Sequence, residues 1–415
     1  MMDYDVVVIG GGPSGLAASI SAYDNHQHVL LIEREARLGG ILKQCIHDGF
    51  GLITFNEKLT GPDYATRFIN EVYKRKIDVL LLTFVTKIIK LEDGFELHIV
   101  NANGVSKITS KTLILSSGCR ERTARQVSIV GTRPSGLLTA GTAQNYINLL
   151  GQKVGQNVVI LGSGDIGLIM ARRLTLEGSK VLGVYEIKNT PSGLSRNINQ
   201  CLKDFDIPLY LSHTVTKVFG KDRLEAVEIA KVDENLKIIP NTSEIVKCDT
   251  LIVSVGLIPE NELIEKLGVV IDNRTKGAKV DQTLMTSIDG LFVSGNCLHV
   301  FDLVDYVTES AIKAGNSASS YQKEKRNLIN IEIKNNLSYV VPQCLDLNKQ
   351  LDVTFYFRSN KELKNAKLII KVDEKVVLEK RYLKLLPPEM ERLVYTFKDL
   401  TKESKVSIDV EELGK

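Results

Sequence analysis

The sequence of 415 residues predicts an α/β protein with two doubly wound, three-layer nucleotide-binding domains and a small C-terminal all-β domain. Three observations indicate this class. A strand, a glycine-rich turn and a helix open the chain, the same order returns near residue 157, and short alternating segments follow residue 327. A chain of this length exceeds what one hydrophobic core usually holds, so several domains are expected.

The composition is that of an ordinary globular protein, with 43% hydrophobic and 25% charged residues. The net charge of +3 is small for this length, so we predict no nucleic-acid partner. The sequence opens on an apolar strand rather than a signal peptide, and no apolar run is long enough to span a bilayer. We therefore expect a cytoplasmic protein without an integral membrane segment.

The first β-α-β unit carries a dinucleotide-binding pattern. The strand at residues 5–9 leads into GGGPSG, which places Gly10, Gly12 and Gly15 at G-x-G-x-x-G spacing. Such glycines permit a tight turn, close approach of the backbone to a pyrophosphate, and close contact between helix and strand. The helix N-terminus offers its N–H groups to the phosphates. Glu33 ends the next strand, where an acid can accept hydrogen bonds from an adenosine ribose.

A second copy of the pattern begins at NVVILGSGDIG and supplies Gly162, Gly164 and Gly167. Glu186 ends the strand that follows, at nearly the same distance as in the first copy. An acid at this position repels a 2′-phosphate, so NAD(H) is favoured over NADP(H). Lys188 lies close by in sequence and weakens that preference.

Together these units resemble the pyridine nucleotide–disulfide oxidoreductase superfamily, over about residues 3–325. KTLILSSGCRERT resembles the segment that returns the chain beneath FAD, and DTLIVSVGLIPENEL resembles the strand that closes the nicotinamide domain. GLFVSGN is similar to the second FAD motif, whose last residue usually holds the ribitol. That residue is normally Asp and is Asn296 here, which can still hydrogen-bond a hydroxyl.

The resemblance implies a glutathione/thioredoxin-reductase-like fold. It places an FAD-binding domain at residues 1–122 and 281–326, an NAD(H)-binding domain at 123–280 and a β-sandwich-like domain at 327–415. The implied FAD-binding residues are Gly10, Gly12, Pro13, Ser14, Gly15, Glu33, Arg34, Gly39, Gly40, Val85, Ser117, Gly118, Gly295 and Asn296. The implied NAD-binding residues are Gly162, Gly164, Asp165, Ile166, Gly167, Glu186 and Gly256, and no metal site is expected.

The implied activity is an electron relay in which hydride passes between nicotinamide and flavin. Residues 136–144, where thioredoxin reductase carries a CxxC dithiol, contain no cysteine. RPSGLLTAGTAQ and GNCLHVFDLVDYV resemble flavoprotein subunits of amino-acid, opine and sarcosine dehydrogenases, and a set associated with glycerol-3-phosphate oxidation. We therefore expect an FAD-dependent oxidoreductase that exchanges electrons between NAD(H) and a second substrate, a partner dehydrogenase or an electron-acceptor subunit. A homo-oligomer is left open.

Cys45 supports an alternative, a self-contained NADH oxidase or peroxide/disulfide reductase. It follows Glu33 by 12 residues, where single-cysteine enzymes of the superfamily place a redox thiol. A helix N-terminus or His47 could lower the pKa of this thiol, which makes both residues candidate catalytic groups. We favour a buried small thiol instead, because GGILKQ and IHDGFG do not match those enzymes.

A non-catalytic FAD-binding scaffold subunit is a third hypothesis, which the intact pattern around Glu186 disfavours. His299 is expected to be a loop histidine with its hydrogen bonds satisfied. The helix after Asn296, at about residues 305–321, is expected to aim its N-terminus at the flavin, with Asp302 and Asp305 as caps. The C-terminal domain is expected to contribute to packing or partner docking only.

Overall fold

The computed structural model describes residues 2–413 and divides the chain into two compact units. The first unit runs to Cys119 and resumes at Pro259, and the second spans Arg120–Ile258. Within residues 2–413, no helix has both the length and the apolar character needed to cross a bilayer. The predicted α/β fold with two sheets of mainly parallel strands and a C-terminal all-β region is confirmed.

The first segment of the first unit forms a largely parallel sheet with two helices. Its elements are β1 Tyr4–Ile9, α1 Pro13–Asp24, β2 Val29–Ile32, β3 Asp48–Phe50, β4 Leu59–Thr60, α2 Gly61–Lys74, β5 Asp78–Leu80, β6 Phe84–Leu91, β7 Gly94–Asn101 and β8 Gly104–Leu115. The strand order is β5-β2-β1-β8-β7-β6, with β1, β2 and β5 parallel to the end of β8. The apolar, β-branched residues of β1 are buried, as expected for a strand covered on both faces.

The second unit follows the same plan. Its elements are β9 Cys119–Glu121, β10 Val130–Gly131, β11 Leu137–Thr139, α3 Ala140–Asn148, β12 Asn157–Leu161, α4 Asp165–Leu176, β13 Lys180–Glu186, α5 Ser195–Cys201, β14 Leu209–Leu211, β15 His213–Gly220, β16 Leu224–Lys231, β17 Glu244–Lys247, β18 Thr250–Val253 and β19 Leu257–Pro259. A parallel sheet has the order β11-β18-β12-β13-β14, and a second sheet has the order β10-β15-β16-β17. The second glycine-rich turn lies between β12 and α4, just as the first lies between β1 and α1.

The chain then returns to the first unit. It adds α6 Glu262–Glu265, β20 Leu291–Val293 and α7 Val304–Ser319. β20 pairs in parallel with β8, and α7 packs along α1. Ile264 lies in the same apolar core as β1 and β8, and Asn261 Nδ2 donates to the Cys297 carbonyl at 2.9 Å. For this reason the second unit ends at Ile258, earlier than the predicted segment 123–280.

The C-terminal region is an all-β sandwich. Its strands are β21 Leu328–Ile333, β22 Leu337–Val341, β23 Cys344–Asp346, β24 Asp352–Ser359, β25 Leu363–Val372, β26 Lys375–Leu385, β27 Glu391–Thr396 and β28 Val406–Glu412. The sheets β23-β21-β28-β25-β26 and β22-β24-β27 enclose an apolar core that includes Phe355, Phe357 and Ile370. Gln282 Nε2 donates to the Asp346 carbonyl at 2.8 Å, so the sandwich is joined to the preceding segment of the first unit.

Candidate functional site

The first glycine-rich turn lies at the carboxyl end of β1, where α1 begins at Pro13. A Cβ at Gly15 would overlap the Gly10 carbonyl oxygen, so only glycine lets the helix approach this closely. A Cβ at Gly12 would meet only the Gly40 Cα, at 3.8 Å. Gly12 is the N-cap of α1 and has no side chain to accept from the first amides of the helix, which remain available to an anion. The turn therefore fits a phosphate.

Glu33 is 7% exposed and its carboxylate orders this turn. Oε2 accepts from the Gly11 amide at 2.7 Å, and Oε1 accepts from the Glu35 amide at 2.8 Å. Each carboxylate oxygen can accept a second hydrogen bond, so capacity remains for the predicted ribose contact. Glu33 therefore shapes the turn in addition to any role in binding.

Arg34 and Val85 are two further predicted FAD residues, outside the glycine-rich turn. The Arg34 side chain is exposed. Val85 is half-buried in β6, opposite Ile99 on β7. The Thr83 amide donates to the Glu33 carbonyl at 3.0 Å, which places the start of β6 beside the turn.

Gly39 and Gly40 bring the next segment against the glycine-rich turn. The Gly39 amide donates to the Gly11 carbonyl at 2.8 Å. Gly40 has φ +53°, and a Cβ there would lie 2.8 Å from the Gly12 Cα. A short 3₁₀ helix, Gly40–Gln44, follows. Only glycine satisfies both the backbone angle and the close approach.

A buried cluster of three serines joins three chain segments behind the turn. Ser14 Oγ lies 2.8 Å from Ser294 Oγ and 3.2 Å from Ser116 Oγ, and Ser116 Oγ lies 3.0 Å from Ser294 Oγ. Sequence reasoning singled out Ser14 but missed Ser116 and Ser294. Serine is common at strand ends, so the sequence carries no signal that would have identified this cluster.

The chain segments after β8 and β20 meet beside this cluster. Ser117 Oγ donates to the Glu260 carbonyl at 2.6 Å, and the Gly118 carbonyl accepts from the Glu260 amide at 3.0 Å. A Cβ at Gly295 would lie 2.7 Å from Ser14 Oγ. Asn296 Oδ1 accepts from the Phe301 amide at 3.1 Å. The structure thus brings the predicted FAD residues of three distant segments to one edge of the sheet.

Cys45 follows the 3₁₀ helix and is half-buried. Burial raises the pKa of its thiol to about 12, opposite to the lowering that a nucleophile needs. Its Sγ donates to the Ile41 carbonyl at 3.4 Å. The His47 ring packs on Phe50 with 4.9 Å between centroids, and Nδ1 contacts the Asp48 carbonyl at 3.0 Å. The raised pKa disfavours the alternative in which Cys45 is a redox thiol and agrees with the favoured interpretation of a small buried thiol.

The segment after Asn296 departs from its predicted roles. His299 is 1% exposed, and neither ring nitrogen has a hydrogen-bond partner within the described residues, so the expected satisfied loop histidine is wrong. Asp302 and Asp305 do not cap α7, whose N-cap is Leu303. Asp302 pairs with Arg358 instead, and Asp305 Oδ1 accepts from the Thr54 amide at 2.8 Å. Long-range partners compete with local capping here.

The second turn repeats the arrangement of the first. Gly164 is the N-cap of α4, and a Cβ there would meet only the Ser254 carbonyl, at 4.0 Å. Glu186 is buried, and its Oε2 accepts from the Ser163 amide at 3.0 Å and the Ser163 hydroxyl at 2.5 Å. Oε1 accepts from the Lys188 amide at 3.1 Å. The Lys188 side chain is exposed.

The other predicted NAD residues have mixed surroundings. Gly162, before α4, and Gly167, in the first turn of α4, lie close together: a Cβ at Gly167 would lie 2.8 Å from the Gly162 carbonyl oxygen. Asp165 Oδ1 accepts from the Leu194 amide at 2.9 Å and from the Asn197 side chain at 2.7 Å, and Ile166 packs on the core. Gly256 has open space where a Cβ would stand. The loop between β13 and α5, which was not predicted to take part in the site, is held by a hydrogen bond from the Ser192 amide to Ser163 Oγ at 2.9 Å.

The sequence that forms these two turns also matches a known protein family. The family model for pyridine nucleotide-disulphide oxidoreductase matches residues 4–318. The chain belongs to this family. It is therefore an FAD-dependent oxidoreductase linked to a pyridine nucleotide.

Relatives of this chain include a reductase and a synthase subunit, each of low but extended sequence similarity. A ferredoxin–NADP reductase of Leuconostoc citreum is 25% identical over 333 residues, which cover 76% of this chain and 89% of that protein. The hydrogen cyanide synthase subunit HcnB of Pseudomonas protegens is 28% identical over 294 residues, which cover 65% of this chain and 60% of that protein.

Solved structures show the same fold. A thioredoxin reductase of T. acidophilum has a TM-score of 0.64 and 21% identity, and covers 77% of this chain and 99% of that one. An NAD-dependent persulfide reductase of A. fulgidus has a TM-score of 0.61 and 18% identity, and the match covers 89% of this chain and 68% of that one.

Within residues 2–413, no group of three or more His, Cys, Asp or Glu side chains could hold a metal ion.

Proposed function

We propose that the first turn binds FAD, that the second binds NAD(H), and that the enzyme passes the electrons on to a separate protein or second substrate. The observation that carries this proposal is the repeated arrangement: Gly12 and Gly164 each cap a helix without a side chain, beside a buried acid. Together FAD and the nicotinamide supply the hydride acceptor and donor. The chain's own residues bind and orient both groups.

In this proposal the first amides of α1 hold the FAD pyrophosphate, and Glu33 meets the adenosine ribose. Gly40 lets the following 3₁₀ helix pass close to the cofactor. The ribityl chain is assigned to Asn296. The N-terminus of α7, which begins at Val304, would stabilise negative charge on the flavin by its helix dipole.

Glu186 favours NAD(H) over NADP(H), since its carboxylate would repel a 2′-phosphate. The similar ferredoxin–NADP reductase of Leuconostoc citreum makes NADP(H) the competing choice. To decide, the purified flavoprotein is reduced anaerobically with each nucleotide in a stopped-flow instrument. We expect faster bleaching of the flavin by NADH. A faster reaction with NADPH would contradict the assignment of Glu186.

A matched pair of variants isolates the charge. Glu186→Gln should shift the NADPH-to-NADH rate ratio about tenfold towards NADPH, equivalent to about 1.4 kcal/mol. Glu177→Gln, at the exposed C-terminal end of α4, removes one carboxylate away from the turn and should leave the ratio unchanged. Equal ratios in both variants would show that Glu186 does not read the ribose.

We assign the electron acceptor to a partner protein, of the dehydrogenase or ferredoxin class. The position of the thioredoxin-reductase dithiol holds threonines in this chain: Thr139 Oγ1 lies 2.9 Å from Thr142 Oγ1 at the start of α3. The raised pKa of Cys45 disfavours a single-thiol relay. Reduced enzyme should therefore reoxidise slowly with peroxide or small disulfides and faster with an iron–sulfur protein. If the enzyme turned over peroxide quickly and Cys45→Ser abolished that activity, the peroxide/disulfide reductase mechanism would be favoured instead. If neither NADH nor NADPH bleached the flavin, a non-catalytic FAD-binding scaffold subunit would be favoured.

A further inference from the structure

Two arginines of the C-terminal sandwich hold the chain that follows Asn296. Arg358, on β24, donates to the Asp302 carboxylate and, at 3.4 Å, to the Val300 carbonyl. Arg392, on β27, binds the Glu309 carboxylate of α7, with Nε 2.8 Å from Oε2. The sandwich therefore contacts both the loop before α7 and the second turn of that helix.

Aromatic side chains of the sandwich enclose the same loop. The His299 ring centroid lies 3.9 Å from that of Phe301, 5.5 Å from that of Tyr356 and 5.6 Å from that of Tyr339. Tyr339 and Tyr356 belong to β22 and β24 of the sandwich. Because these rings bury His299 almost completely, the loop depends on the sandwich for its conformation.

Hydrogen bonds from backbone amides connect the contact between the sandwich and this loop to Asn296. The Met390 amide, from the sandwich, donates to Asp302 Oδ2 at 2.6 Å. The adjacent residue, Phe301, donates its amide to Asn296 Oδ1 at 3.1 Å, while Asn296 Nδ2 donates to Cys119 Sγ at 3.6 Å. An aspartate at position 296 could accept from Phe301 but could not donate to the sulfur. The asparagine is thus oriented from both sides.

We propose that the C-terminal sandwich is a positioning element for the flavin site, in which Arg358 acts through Asp302 and Phe301 to orient Asn296. Arg358 is a positioning residue, since its own contacts are with protein groups. This inference rests on the proposed FAD site and extends it, because it assigns a role in cofactor binding to a domain outside the matched family region 4–318. Arg392 acts in parallel on α7 through Glu309.

The test compares Arg358→Gln with Arg358→Lys, Arg392→Gln and a control, Lys367→Gln. Lys367 pairs with Glu379 on the outer hairpin β25–β26 of the same sandwich, so its loss removes an ion pair away from the loop. Each purified holoprotein is examined for its FAD dissociation constant, the visible circular dichroism of the bound flavin and the flavin midpoint potential. These flavin signals separate positioning from a general loss of stability, which thermal unfolding reports.

We expect Arg358→Gln to raise the FAD dissociation constant about tenfold and to alter the flavin dichroism, with Arg358→Lys intermediate and Lys367→Gln unchanged. Dichroism and affinity equal to those of the control would overturn the proposal. If Arg358→Gln does not fold, the part-exposed pair decides: Arg392→Gln should change the flavin dichroism, and an unchanged band refutes the positioning role. Wild-type protein that takes up no FAD would instead refute the proposed function itself.

Discussion

His299 gives this protein a specific weakness towards acid. Burial, and then the nearby positive charge of Arg358, lower the pKa of its imidazole to about 3. In the unfolded chain the same group has its ordinary pKa of 6.5. Below pH 6.5 the unfolded state therefore binds one proton that the folded state excludes.

A proton taken up only on unfolding lowers the unfolding free energy as the pH falls, by up to about 1.4 kcal/mol per pH unit. The stability from a neutral His299 is complete above pH 6.5 and is lost progressively towards pH 3. Between pH 7.5 and 4.5 the loss amounts to about 2.5 kcal/mol.

The measurement is urea unfolding, followed by far-ultraviolet circular dichroism, at pH 7.5, 6.0 and 4.5. His299→Leu removes the titrating group, so its unfolding free energy should fall by about 2.5 kcal/mol less than that of the wild type over this range. At pH 7.5 the variant should be about as stable as the wild type, because it also removes two ring nitrogens without partners in the described chain. His26→Asn, at an exposed turn, is the control. Identical pH profiles for wild type and His299→Leu would refute this reasoning.

Three further outcomes are expected. Gly40→Ala should weaken FAD binding at least tenfold, or about 1.4 kcal/mol, because its Cβ would displace Gly12. The control Gly151→Ala, at a similar φ but with open space around its Cβ, should leave FAD binding unchanged. Equal FAD affinities of the two variants would contradict the role of the close approach between Gly40 and Gly12. Cys45→Ser should leave flavin reduction by NADH unchanged in stopped-flow traces, and a loss of reduction would show that the thiol participates. Tyr64→Phe should lower the unfolding free energy by about 1 kcal/mol, because the Tyr64 hydroxyl contacts both Thr54 and Thr308 of α7. An unchanged unfolding free energy in urea would argue against this bridge.

The fold was predictable because its signals are local. Apolar strands, the glycine spacing and an acid at the end of the next strand lie within a few dozen residues, so the turns around Gly12 and Gly164 could be located from the sequence. The hydrogen bond that Glu33 Oε2 accepts from the Gly11 amide was not predicted. Domain limits were less predictable, since the place of Ile264 in the first core depends on contacts between distant segments.

The sequence by itself determined two glycine-rich turns, their helices and an all-β C-terminus. Only the tertiary structure decided the surroundings of each polar group: it brought Ser294 to Ser14, buried the Cys45 thiol instead of activating it, and gave Asp302 an arginine instead of a helix to cap. The physical reason is separation along the chain. Turn geometry depends on neighbouring residues, whereas burial and ion pairing depend on partners that the fold brings from far away.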